Sequence, residues 1–135
     1  MEAGGGDFMR RFLKSRKYGN HKIQIGENTF DSRKEYIRYL DLLGMLNEGR
    51  ITDLKRQVKY VLIPAQREPD EIGPRGGIHK GKLIEKEVSY YADFVYKLAD
   101  SGITIVEDTK GMRTTEYVIK RKMMLYFHGI RIKEI

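Results

Sequence analysis

Glu87-Val88-Ser89-Tyr90-Tyr91-Ala92-Asp93-Phe94-Val95-Tyr96-Lys97-Leu98-Ala99-Asp100-Ser101-Gly102-Ile103-Thr104-Ile105-Val106-Glu107-Asp108-Thr109-Lys110 is the stretch on which the fold turns. From Val88 to Tyr96 every even position is apolar, as Val88, Tyr90, Ala92, Phe94 and Tyr96, which is the period of a half-buried strand. Ile103 to Thr109 reads as a second strand, and Asp100-Ser101-Gly102 as the turn that lets the two pair antiparallel. Asp93 has the opposite parity, beside Tyr91 and Val95. Aspartate is disfavoured within strands, so Asp93 either marks an exposed face or is kept for its chemistry. On the second strand Val106, Asp108 and Lys110 share one parity, whereas Ile103, Ile105 and Glu107 share the other. Asp108 and Lys110 therefore emerge together, about 7 Å apart at a rise of about 3.3 Å per residue.

Upstream, Ser32-Arg33-Lys34-Glu35 matches a capping box, and a helix from Ser32 to Asn47 follows, closed by Gly49. At about 100° per residue, Glu35 falls inside the apolar sector of Tyr39, Leu42, Leu43 and Leu46. It reads both as the capping partner of Ser32 and as a carboxylate turned towards the interior. Ile23-Gln24-Ile25, Gly26-Glu27-Asn28 and Thr29-Phe30 suggest a small hairpin, and Gln57 to Ile63 a strand stopped by Pro64. Ala65 to Gly81, rich in proline and glycine, reads as a loop. Downstream, a helix fits Thr115 to His128, ended by Gly129, and a short strand fits Arg131 to Ile135. The main elements run αβββαβ, an α/β order.

At 135 residues the chain has room for one domain. The run Gly4-Gly5-Gly6, then Arg10, Arg11, Lys14 and Arg16, sets off residues 1–16 as a flexible basic arm ahead of a single domain, 17–135. The start shows no long hydrophobic core or cleavage site, so no export signal is expected. Nor does any apolar run approach the 18 or so residues of a membrane span. Lysines and arginines number 26 against 19 acids, a net charge of +7 that favours an acidic partner. Cysteine is absent, and His21, His79 and His128 are scattered, which excludes thiolate catalysis and cysteine-ligated zinc.

Any metal should then be held by oxygen. The short turn can bring Asp93 and Asp108 to one end of adjacent strands, where two carboxylates repel each other unless a proton or cation intervenes. Mg2+ or Mn2+ is the natural counter-charge. On a basic protein such a site suits a phosphodiester, with Lys110 placed to position the nucleophile or offset developing charge.

A helix glutamate (Glu35), an aspartate on a central strand (Asp93) and Asp108-Thr109-Lys110 on the next strand resemble the PD-(D/E)xK nuclease superfamily. Lys17-Tyr18-Gly19-Asn20, Phe30-Asp31-Ser32 to Glu35, Tyr91 to Tyr96 and Val106 to Gly111 are similar to a small phage and prophage family within it. The resemblance implies a restriction-endonuclease-like core, a mixed sheet of about four strands flanked by helices. It implies metal ligation by Asp93, Asp108 and the Thr109 carbonyl, with Glu35 contributing directly or through water, and Lys110 aiding the attacking water. Gln57 matches a position used near the scissile phosphate. Ala92 stands where the superfamily's name has proline, a frequent departure. The activity implied is a Mg2+-dependent endodeoxyribonuclease, with Mn2+ as a substitute, in a bacterial or phage-infected cytoplasm. Holliday-junction resolvases in this superfamily act as homodimers, which makes branched DNA the first expectation for substrate. Flap, single-strand and general nucleases, and a non-catalytic nucleic-acid-binding module, are the alternatives. Arg75, Lys80 and Lys82 in the long loop, and Lys120, Arg121 and Lys122, are candidate DNA contacts, the last three reading equally as a solvated helix face. Glu107 is a competing acid beside Asp108, and the tyrosines, among them Tyr36, Tyr39, Tyr90, Tyr96 and Tyr126, read mostly as packing.

Overall fold

A computed structural model describes residues 22–135; the basic arm 1–16 and the segment Lys17 to Asn20 lie outside the described residues. The chain divides into two compact units, Met1–Arg50 and Ile51–Ile135. In the first, strands β1 (Ile23–Ile25) and β2 (Asn28–Phe30) pair antiparallel around Gly26, as the turn sequence predicts. Helix α1 (Arg33–Asn47) starts at Ser32, whose hydroxyl accepts the Glu35 N–H at 3.1 Å. The reciprocal half of the capping box is displaced by one residue, because the Glu35 carboxylate accepts the N–H of Asp31, at 2.7 Å. Phe30 seats the helix through ring contacts with Tyr36 and Tyr39, at 5.2 and 5.3 Å between centroids.

The second unit contains a four-stranded mixed sheet in the order β10, β9, β8, β3, made of β3 (Ile51–Ile63), β8 (Val88–Leu98), β9 (Thr104–Asp108) and β10 (Lys133–Glu134). β3 and β9 lie antiparallel to β8, and β10 joins parallel to β9. The pairs Val58↔Ala92 and Tyr60↔Tyr90 match even positions with even, so the apolar face of β8 continues across β3. β3 starts six residues earlier than the sequence reading places it. The charged stretch Thr52 to Arg56 carries little apolar periodicity, and its pairing with β8 makes it a strand. Helix α2 (Thr115–His128) matches expectation at both ends: Thr114 accepts the Tyr117 N–H at 3.1 Å, and Gly129 closes it at φ 65°, a left-handed conformation that glycine adopts without strain. Tyr117 and Met124 of α2 pack with Leu62, Tyr90, Ala92, Val106 and Ile132 in the core of this unit. The His128 Nε2 meets the Val61 carbonyl at 2.9 Å. Tyr126, read as core-compatible, is 83% exposed.

The segment read as a loop from Ala65 to Gly81 is a nested antiparallel arm. β4 (Gln66–Arg67) pairs with β7 (Leu83–Glu85), and within them β5 (Glu71–Ile72) pairs with β6 (Ile78–His79). Strands of two or three residues between prolines and glycines leave no periodicity to read. The Lys59–Glu87 ion pair stands at its base. Arg67 and the Gly81 carbonyl (3.1 Å), the Gly81 N–H and Asp70 (2.9 Å), and the Glu68 N–H and Lys82 carbonyl (2.8 Å) tie its middle together.

A Cβ on Gly81 would lie 1.7 Å from the Glu68 carbonyl oxygen, so only glycine fits there. Gly81→Ala is expected to open the arm and leave the sheet standing. Hydrogen exchange should then speed up in β4 and β7 while amides of β8 between Tyr90 and Tyr96 keep their protection.

Candidate active site

The strand registers assemble the site. The pairs Arg56↔Phe94 and Val58↔Ala92 bracket Gln57 opposite Asp93. Phe94↔Glu107 and Val95↔Val106, continued by one residue, set Asp93 opposite Asp108. Glu134 is the partner of Asp108 on β10. One row of side chains, Gln57, Asp93, Asp108 and Glu134, thus crosses all four strands.

Asp93 is half-buried and fixed by neutral donors. The N–H and the hydroxyl of Thr109 both donate to its Oδ2, each at 2.8 Å, and the Gln57 amide donates to its Oδ1 at 3.2 Å. Two donors fill the acceptor directions of Oδ2. Gln57 has φ 50°, a left-handed backbone in the middle of a strand. Such a conformation costs a non-glycine residue about 1–3 kcal/mol.

Asp108 is 1% exposed. The Tyr90 hydroxyl donates to its Oδ2 at 2.5 Å, while its Oδ1 has no hydrogen-bond partner and faces the Lys110 ammonium at 3.5 Å, an ion pair at the outer limit of hydrogen bonding. Burial raises the Asp108 carboxyl to about 6; the Tyr90 hydrogen bond opposes this, the Asp93 charge adds to it, and Lys110 opposes it. Burial likewise raises the Tyr90 hydroxyl, which keeps it a donor. Lys110 Nζ stands 5.0 Å from the centroid of the Tyr117 ring, a cation–π contact that steadies it.

Within the second unit Asp93, in the middle of β8, comes together with Gln57 of β3 and with Asp108, Thr109 and Lys110 at the end of β9. Glu35, in the first unit, is 1% exposed and holds the Asp31 N–H. Glu107 is fully buried and accepts the Tyr96 hydroxyl, which distinguishes it from Asp108 as the parity argument requires. Arg121 is committed to Glu134 at 2.9 Å and Lys120 to Glu116 at 3.0 Å, whereas Lys122 is exposed. Arg75, Lys80 and Lys82 are exposed on the arm. Composition hides the parts played by Tyr90 and Tyr117. A buried carboxylate with one nearby cation needs another donor, and a tyrosine on the adjoining strand was the available signal.

Because the Asp108 carboxyl is raised, the folded protein binds this proton more tightly than the unfolded chain, in which an aspartate titrates near 3.9. Its ionisation therefore costs stability as the pH rises from about 4 through about 6. Asp108→Asn keeps an acceptor for Tyr90 and removes the charge. In the presence of a chelator it should be more stable than wild type at pH 7, by about 1–3 kcal/mol, with the advantage vanishing near pH 4. Denaturant unfolding at the two pH values measures this.

A family model described as "Protein of unknown function (DUF1064)" matches residues 15–134, nearly the whole chain, and the chain belongs to that family. No curated protein and no solved structure matches it.

Proposed function

We propose that this member of the DUF1064 family is a Mg2+-dependent endodeoxyribonuclease with a restriction-endonuclease-like core, acting in the cytoplasm on branched DNA as a homodimer. The observation that carries this reading is the adjacency of Asp93 and the buried Asp108, whose Oδ1 makes no hydrogen bond and has the Lys110 ammonium against it. A carboxylate oxygen shut away from water without a donor is costly. A hard cation satisfies it, and oxygen donors are the ligands such a cation takes. Asp93 and Asp108 would hold the ion, with the Thr109 carbonyl as the further ligand implied by the resemblance. When bound, Mg2+, or Mn2+ in its place, supplies charge to polarise a phosphodiester and lowers the pKa of attached water.

The protein's own groups do the rest. Tyr90 occupies Asp108 Oδ2 and so leaves Oδ1 turned to the site. Thr109 and Gln57 hold Asp93 in one rotamer, and Gln57, being on the same row, is placed to meet a substrate phosphate. Lys110 balances the Asp108 charge in the resting site and offers an ammonium to the attacking water or to charge building on the phosphate. Arg75, Lys80, Lys82, Lys120 and Lys122, and Arg121 if it exchanges Glu134 for phosphate, supply backbone contacts. Such contacts give affinity that weakens steeply with salt.

End-labelled four-way junction, flap, single-stranded and linear duplex DNA, incubated with Mg2+ at matched salt, test the proposal. Wild type should cut the junction fastest. Asp108→Asn and Lys110→Ala should each cut at least about 10²-fold more slowly, and Asp108→Asn should still bind DNA in gel shifts. Undiminished cutting by Asp108→Asn would refute the site, and equal cutting of every substrate would refute the preference for branches.

A further inference from the structure

Helix α1 carries two apolar faces. Glu35 and Leu42 are buried on one, and on the opposite face Ile37 and Leu40 are each 47% exposed. At about 100° per residue Ile37, Leu40 and Gly44 fall within a sector of about 60°, and the exposed Leu43 borders it. A surface helix turns one apolar stripe inward and polar residues outward, so a second stripe in water calls for a partner. Gly44 lies in that stripe, and its own chain gives no reason for glycine. The residue is helical, and a Cβ there would meet nothing within 4 Å. Glycine is the poorest helix former after proline. What it provides is room for another element to approach closely.

The charges of α1 run against its own dipole. Arg33 and Lys34 open the helix and Glu48 caps its end, whereas an isolated helix favours acids at its start and bases at its end. The one acid of the first turn, Glu35, is buried. Arg33 is exposed, and Glu48 makes only an exposed contact with Arg50, at 3.4 Å. Both lie in line with Ile37, Leu40 and Gly44, at the two ends of the stripe. If a copy of the helix is laid antiparallel on it, about a centre between Leu40 and Asp41, Ile37 falls over Gly44 of the second copy. Leu40 then meets its own counterpart, and Arg33 meets Glu48 of the second copy. Each feature of the stripe is answered by another on the same helix at an equal distance from one centre, which is what a two-fold contact requires. Such a contact also lays like flank on like flank, so Asp41 faces the flank that carries Lys34 and Arg38.

We infer that the outer face of α1 is a two-fold docking surface for a second copy of this chain, with Ile37, Leu40, Leu43 and Gly44 at its centre and Arg33–Glu48 pairs at both ends. The inference rests on the nuclease reading for what two copies do together, and it deepens that reading by giving the homodimer its surface. The fifteen residues of α1 rise about 22 Å. Two such helices bury less than about 1,200 Å², an area typical of reversible association. A dissociation constant in the micromolar range is therefore expected.

Sedimentation equilibrium of the full chain, without DNA and in the presence of a chelator, tests the surface. Wild type should pass reversibly from monomer to dimer as its concentration rises. Leu40→Glu and Gly44→Leu should each weaken the dimer at least about tenfold. Gly44→Leu should melt no lower than wild type in dilute solution, since the space is open and leucine is the better helix former. Arg33→Glu and Glu48→Arg both improve the match to the helix dipole, yet each should weaken the dimer about fivefold. The double variant Arg33→Glu with Glu48→Arg should restore it, which a role confined to the single helix would not do. A wild type still monomeric at about 100 μM overturns the inference. So does a dimer that survives Leu40→Glu and Gly44→Leu, or one that the charge exchange fails to restore. Dimerisation as expected, with no cutting of any DNA in Mg2+, overturns the nuclease reading and leaves this surface standing.

Discussion

Asp108 is a carboxylate removed almost wholly from water beside a second carboxylate on the neighbouring strand, and much of the second unit answers the cost of that arrangement. Desolvation and the Asp93 charge both favour its neutral form, while the Tyr90 hydroxyl and the Lys110 ammonium favour its ionised form. Neither side wins outright, which leaves the group raised but able to ionise near neutrality. Next along the row, Glu134 meets the opposite situation: Arg121 and Arg113 hold its carboxyl below the ordinary range. The sheet thus carries three acids in line and gives each a different environment. An apolar residue of similar volume at Asp108 would ordinarily make a more stable core. A buried acid retained against that cost is what a reactive or metal-holding site requires, and perturbed carboxyls gather at such sites.

Backbone strain falls on the same row. Two non-glycine residues take positive φ, Asp53 at 52° and Gln57 at 50°. Asp53 sits within a register shift between β3 and β8, where an extra residue bends the strand and the conformation follows. Gln57 has no such cause, because the register is the same on both sides of it. What it gains is the hydrogen bond from its amide to Asp93. The long β3–β8 pairing holds the strained residue in place, and the strain turns a strand side chain to the acid that needs a neutral donor.

The helices, their caps and the β8–β9 hairpin were legible because each has a local signal: Ser32 with Glu35, Thr114 and Gly129 at the ends of α2, and unbroken alternation from Val88 to Tyr96. The pairing of Asp93 with Asp108 was legible too, since a short turn fixes the register of a hairpin. β3 was half-legible, its charged first half being a strand only through its partner. The arm was illegible, because two-residue strands leave no period and their pairing rests on tertiary hydrogen bonds such as those to Gly81. Tyr90 and Tyr117 were read as packing because a tyrosine's ring and its hydroxyl make separate demands, and only the ring leaves a mark on periodicity.

The row and the arm are two kinds of structure. The row lies in the paired interior of the sheet, where positions are fixed by the register and a carboxylate can be kept out of water. Nothing there distinguishes one phosphodiester from another, since every phosphate along a duplex carries the same charge. For the proposed nuclease, selectivity would come from outside the row. The arm leaves from the ends of β3 and β8, the same two strands that carry Gln57 and Asp93, so its attachment shares their register. Its residues are free of the core's packing constraints, and only Gly73 and Gly81 are held by close approach. Sequence change in related chains should therefore gather in the arm, with the row of acids left as it is.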